Sequence, residues 1–89
     1  MTDKIAAILT QRHAVHGPFE LDAHFSQCLK QILYSDVGGY SSLSDPQREA
    51  LGMITTKIGR ILAGDPNHVD HWEDIAGYAT LVANILRTA

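Results

Sequence analysis

Residues 42–86 read SLSDPQREALGMITTKIGRILAGDPNHVDHWEDIAGYATLVANIL, and this stretch decides the fold. It divides at the Gly64-Asp65-Pro66-Asn67 turn into two segments of helical spacing. In the first, Leu51, Ile54, Ile58, Ile61 and Leu62 form an apolar stripe. Ser44 or Asp45 offers an N-cap, Pro46 suits an early helical position, and Gly64 is a stop. In the second, Trp72, Ile75, Ala76, Ala79, Val82, Ala83 and Leu86 make the main stripe. The spacing predicts helices over about 45–63 and 68–87, antiparallel neighbours because the turn between them is short.

Working outward, residues 3–14 carry Ile5, Ile8 and Leu9 at helical spacing, with Thr2 or Asp3 as cap, and end at Gly17-Pro18. Residues 19–35 carry Phe25, Cys28, Leu29, Ile32 and Leu33, and end before Gly38-Gly39. Sustained alternation, the mark of a strand, is missing. The expectation is an all-α, four-helix bundle-like single domain spanning 1–89.

A chain of 89 residues with 45% apolar content has room for one small core, which a partner subunit would help to complete. The formal net charge of −3 argues against a nonspecific nucleic-acid binder, which needs a basic stripe. No run approaches a membrane span, and the N-terminal residues lack a signal-peptide shape, so the expected location is the cytoplasm. The single cysteine, Cys28, falls in an apolar pattern and reads as a small buried hydrophobe. It cannot form an intrachain disulfide or close a cysteine zinc site.

The charges fall unevenly. Glu49, Met53, Thr56, Lys57 and Arg60 share one sector of the third helix. Asp70, Asp74, Tyr78, Leu81 and Ile85 form a strip flanking the main stripe of the last helix. Asp70 and Asp74, at i and i+4, repel each other, and the helix N-terminus offsets about 0.3–1 kcal/mol per carboxylate. Two readings compete. Asp70 caps the helix with Glu73 in a capping box, or Asp74, at the head of an apolar strip, has a cation or metal partner. Gly77 costs about 1 kcal/mol against alanine and marks either close packing or room for a ligand. Leu81 and Ile85, left over beside the main stripe, point to a homo-oligomer, most simply a dimer. Of the histidine pairs His13/His16 and His68/His71, neither has a third ligand at known spacing, so both read as surface or capping groups. His16 stands out because it precedes a tight bend.

Two stretches, QRHAVHGPFELDAHFSQCLK and QREALGMITTKIGRILAGDPNHVDHWEDIAGYATLVANIL, resemble a family of small phage and prophage proteins without an assigned activity. The shared pattern runs from an HG-x-F element through E-A-L-x-M-I-x-x-K-I-x-R-I-L to D-x-W-x-D-I-A-G-Y and covers most of the chain. More remotely, the sequence is similar to the all-α nucleoside triphosphate pyrophosphohydrolases of the MazG type, dimers or tetramers that hold magnesium with acidic pairs on two helices. That resemblance implies Glu49 with Asp70 and either Glu73 or Asp74 as the acidic groups, the set Glu49, Asp70 and Asp74 being the expected magnesium ligands. It also implies Lys57 and Arg60 as phosphate contacts and Tyr78 against a base. His16, from its place in the tight bend, is expected to face the site. The second acid of the earlier pair is replaced by Gly52, so the bundle is expected to bind a host protein or a nucleotide rather than to hydrolyse one. Magnesium-dependent hydrolysis is the alternative.

Overall fold

The computed structural model describes residues 2–35 and 37–89, with the side chain of Thr2 left undescribed. Four helices follow one another: α1 (Thr2–His16), α2 (Phe19–Leu33), α3 (Asp45–Ala63) and α4 (Val69–Thr88), with a 3₁₀ turn at Tyr40–Ser42 before α3. There is no strand among the described residues, so the all-α expectation stands. The two long helices of the opening stretch lie where the pattern put them, within one residue at each end.

The start of α3 is fixed chemically. Ser44 accepts a hydrogen bond from the Gln47 backbone N–H, and the Gln47 side chain accepts from the Ser44 N–H, closing a capping box behind Pro46. The start of α4 differs from the sequence reading. Its N-cap is His68, without a side-chain cap, and Asp70 is the second helical residue, so neither Asp70 nor Glu73 closes a capping box there. Asp70 still favours the helix through the positive end of its dipole. At the other end of the chain, Asp3 lies inside α1 and does not cap it, while a Thr2 cap falls outside the described side chains.

The packing centres on α3, which lies against α2 on one side and α4 on the other. Gly59 permits the close approach of α2: a Cβ there would stand 2.9 Å from the Asp22 carbonyl oxygen. α1 touches this layer only weakly. Its residues 3–14 are all exposed, and only its C-terminal end is pinned. There the backbone folds back at Gly17, with φ +78°, a left-handed conformation that glycine adopts without strain. A Cβ on Gly17 would sit 2.0 Å from the Ala63 carbonyl oxygen, and one on Gly64 2.3 Å from that of Val15. The Asp65 N–H donates to Val15 O at 2.9 Å across the same junction.

The faces of α4 are distributed differently from the expectation. The row in contact with the rest of the chain is His71, Ile75, Tyr78 and Val82. Trp72, Ala76, Ala79 and Leu86, assigned to the buried stripe by sequence, are exposed, because the row one step round the helix faces α3 instead. Trp72 lies across the α3–α4 turn and donates its indole N–H to Pro66 O at 2.8 Å. Cys28 is exposed, not buried, and Ile32 is exposed with it, since the inward row of α2 is Asp22, Ser26, Leu29 and Leu33.

The chain is open for its size. Its radius of gyration is 15.2 Å, against about 12 Å for a compact chain of this length. It exposes 6356 Å², while a folded monomer of 9.7 kDa exposes about 5,100 Å².

Candidate functional site

The interior of this helical layer is polar. Asp22 and Ser26 from α2 and His71 from α4 are buried, and His71 is only 1% exposed. Arg60 of α3 reaches between them, with its Nε 3.9 Å from Asp22 Oδ2. That Nε is buried without a hydrogen-bond partner among the described residues, so the Asp22–Arg60 attraction is a loose ion pair. Burial pushes the Asp22 carboxyl above its ordinary range, and the nearby Arg60 charge opposes that without reversing it.

His16, at the end of α1, meets His71 across the elbow. Their ring nitrogens Nδ1 and Nε2 lie 3.4 Å apart, and His68 stacks edge-on against His71 with ring centroids 4.8 Å apart. One nitrogen of the His16–His71 contact must donate and the other accept, so it fits neutral rings and not two imidazolium ions. The surroundings agree. Burial, then the charges of Arg60 and His71, hold His16 down at about 4. Burial, then His68 and Lys57, lowers His71, against the effect of a backbone hydrogen bond with Val15. Beside this pair a cavity of about 470 Å³ opens at the α1–α2 elbow, bordered by Arg12, His16, Phe19, Asp22 and Arg60.

One helical turn from Arg60, Lys57 binds Asp74 of α4 with Nζ 2.7 Å from Oδ2. The Lys57 side chain is largely covered and the Asp74 side chain half exposed, so the pair sits at the rim of the α3–α4 seam. The hydrogen bond from Lys57 holds the Asp74 carboxyl below the usual carboxylate range. Outside that seam, Glu73, Asp74, Gly77, Tyr78 and Leu81 line a shallow groove of about 530 Å³.

The residues proposed from sequence therefore separate into three places. His16, Lys57, Arg60 and Asp74 belong to one connected polar seam. Asp70 faces His68, 3.7 Å away. Glu49 borders a different cavity, of about 420 Å³, with Lys30, Tyr34, Tyr40, Arg48 and Gly52. Glu49, Asp70 and Asp74 do not converge, and no group of three or more His, Cys, Asp or Glu side chains among the described residues is arranged to hold a metal ion. Tyr78 packs partly inward, beside the Lys57–Asp74 pair, in the groove.

Asp22 and Ser26 were not singled out by sequence, and His71, expected as a surface or capping group, is buried because its row on α4 faces α3. Their signal is their register. Asp22 and Ser26 stand at i and i+4 in the row that continues through Leu29 and Leu33, and His71 precedes Ile75 by one turn. A polar residue in an apolar row is a buried polar group in need of a partner. The cavity around Glu49 was also missed. Arg48 stacks over the Tyr40 ring at 5.1 Å and donates to the carbonyls of Tyr40 and Ser41, at 3.2 and 2.7 Å. Lys30 donates to Thr56 Oγ1 at 2.9 Å.

A family model described as Domain of unknown function (DUF6378) matches residues 2–86. No curated protein and no solved structure matches the chain.

Proposed function

We propose that this chain, which belongs to that family of unknown function, is a non-catalytic accessory protein of the phage kind that self-associates and binds a host protein through the outer side of α3 and α4. The observation that carries the reading is the Lys57–Asp74 pair, 2.7 Å long, at the edge of the shallow groove on α4. Protein-binding surfaces combine an apolar centre with a polar rim. Here Ala76, Gly77, Tyr78 and Leu81 supply the centre, and Glu73, Asp74 and Thr80 the rim. Leu81, 61% exposed, adds apolar surface to that centre. The carboxylates that would hold magnesium in a MazG-type enzyme lie apart: Asp74 pairs with Lys57, Asp70 lies 3.7 Å from His68, and Glu49 borders the separate cavity beside Arg48.

The test uses the chain as bait in host extract, beside Leu81→Asp and Gly77→Leu, with helicity checked by circular dichroism. A partner retained by the wild type and lost by both folded variants supports the reading. Magnesium-dependent pyrophosphate release from a nucleoside triphosphate, abolished by Glu49→Gln, overturns it in favour of hydrolysis.

A second reading, nucleotide binding, is favoured by the cavity next to Gly52. Two tyrosines in edge contact, with ring centroids 4.9 Å apart, and the cations Lys30 and Arg48 border it. Gly52 leaves its Cβ position open, with nothing within 4 Å. Calorimetric titration of a nucleoside triphosphate, with and without magnesium, against wild type and Tyr34→Ala tests this reading. Heat that saturates for the wild type alone supports it.

A further inference from the structure

We propose that the largely exposed row Trp72, Ala76, Ala79, Ala83 and Leu86 of α4 is the surface through which two copies of this chain pair, antiparallel, about a two-fold axis at Ala79. This rests on the reading above that the chain self-associates, and it names the helix, the direction and the register.

The row is apolar throughout and follows the four-three spacing of a helix–helix seam. Four of its five residues are exposed, Trp72 at 53% and Leu86 at 58%, and Ala83 is partly covered. Its composition is nearly symmetric about the centre, large–small–small–small–large. A two-fold axis at Ala79 sets Trp72 of one copy against Leu86 of the other and Ala76 against Ala83, each contact made twice, as an isologous interface requires. The three alanines let the helix axes approach to about 8 Å, the close end of the usual range. Trp72 is already held by its bond to Pro66 O, so little rotamer freedom is lost when a partner covers it.

Charge selects the direction. Glu73 and Arg87 lie on the same flank of the row, 14 positions apart. An antiparallel pair faces that flank against its own copy reversed, bringing Glu73 towards Arg87 of the second copy at both ends. A parallel pair in register sets each flank against the opposite flank of its copy, so Glu73 and Arg87 of the two copies do not meet across the seam.

The area fits a second copy. The chain exposes 6356 Å², about 1,200 Å² more than a folded monomer of its mass. A standard interface removes about 800 Å² from each partner. Docking along α4 therefore uses most of the surplus, with the outer face of α1, where Ile5, Ile8 and Leu9 are exposed, as its remainder.

The experiment combines mass with cross-linking. Light scattering on the full chain is expected to give twice 9.7 kDa at micromolar concentration. In a Cys28→Ser background, Ala79→Cys is expected to form a disulfide-linked dimer under mild oxidation. Ala76→Cys is expected to cross-link with Ala83→Cys in a mixture and poorly with itself. Leu86→Asp is expected to return the mass to the monomer while keeping helical circular dichroism. A dimeric mass with no Ala79→Cys cross-link, and with efficient cross-linking from Leu81→Cys instead, overturns this row while leaving self-association intact. A monomeric mass at every concentration overturns self-association and this inference with it.

Discussion

Acidification should destabilise this protein before most of its carboxylates protonate, because His16 and His71 meet between α1 and α4 as neutral rings. His16 has a folded-state pKa of about 4, against an ordinary 6.5. Above pH 6.5 both states are neutral at this ring and it contributes no pH dependence. Between pH 6.5 and about 4 the unfolded chain takes up a proton that the folded chain refuses, so stability falls as pH falls. At pH 5 the loss is about 2 kcal/mol, from 1.36 kcal/mol per unit over about 1.5 units. His71, lowered by burial, adds in the same direction. Asp22, whose pKa is raised, acts in the opposite sense: its folded form gains stability as pH falls through its folded pKa. A chain of this length has a total stability of roughly 4–13 kcal/mol, so the histidine effect is a large fraction of it. Urea melts followed by circular dichroism at pH 7.5, 6 and 5, at one protein concentration, measure the slope. His16→Gln should flatten most of it. A wild-type stability that does not change between pH 7.5 and 5, or an undiminished slope in a His16→Gln, His71→Asn double variant, would refute the argument.

Other substitutions probe the remaining joints. Gly17→Ala is expected to destabilise severely, by about 3 kcal/mol or more, since it adds left-handed strain to a backbone clash with Ala63, and equilibrium denaturation measures it. Ile58→Ala should cost about 2 kcal/mol, the low end for a core aliphatic, because Ile58 is only partly covered; a loss under ~0.5 kcal/mol would place it outside the α3 core. Asp74→Asn should leave the fold intact and change the melting temperature little. If magnesium raises the melting temperature of the wild type and not of Asp74→Asn, Asp74 is a ligand after all.

Much of the fold was legible because its punctuation is local. Pro46 behind Ser44, Gly64 before Pro66 and Gly17 before Pro18 each mark an end that the backbone obeys for its own reasons, with no need of tertiary contacts. The inward face of α4 was not legible in the same way. Its apolar residues cover most of the circumference, so periodicity finds an apolar helix without saying which row meets α3. The choice fell to His71 and Ile75, and His71 is a residue that no hydrophobicity count would place inside. The candidate site was half legible for a related reason. Lys57, Arg60 and Asp74 stand at helical intervals on facing helices, and their charges announce a shared sector. Asp22, their remaining neighbour, comes from α2, and only the three-dimensional crossing at Gly59 brings it to Arg60. The proposed carboxylate triad failed to converge because Glu49 and Asp74 lie more than two turns apart along their antiparallel seam, with Lys57 between them.

Gly77 joins stability to function and gives the sharpest remaining test. Within the chain nothing stands within 4 Å of where its Cβ would be, so internal packing does not require glycine. Alanine there should stabilise α4 by about 1 kcal/mol through helix propensity alone. Gly77 lies outside the row proposed for pairing, which borders the groove at Ala76, so Gly77→Ala should leave the dimer mass unchanged. It should nevertheless weaken capture of a host protein, because Gly77 forms part of the groove floor beside Asp74 and Leu81. More stability with less binding is the signature of a residue kept for a ligand and not for the fold. Thermal melts at low and high protein concentration check the first half. A Gly77→Ala protein that is less stable, and increasingly so at higher concentration, would show a second copy resting on Gly77 and move the seam to the Asp74, Gly77, Leu81 and Ile85 strip.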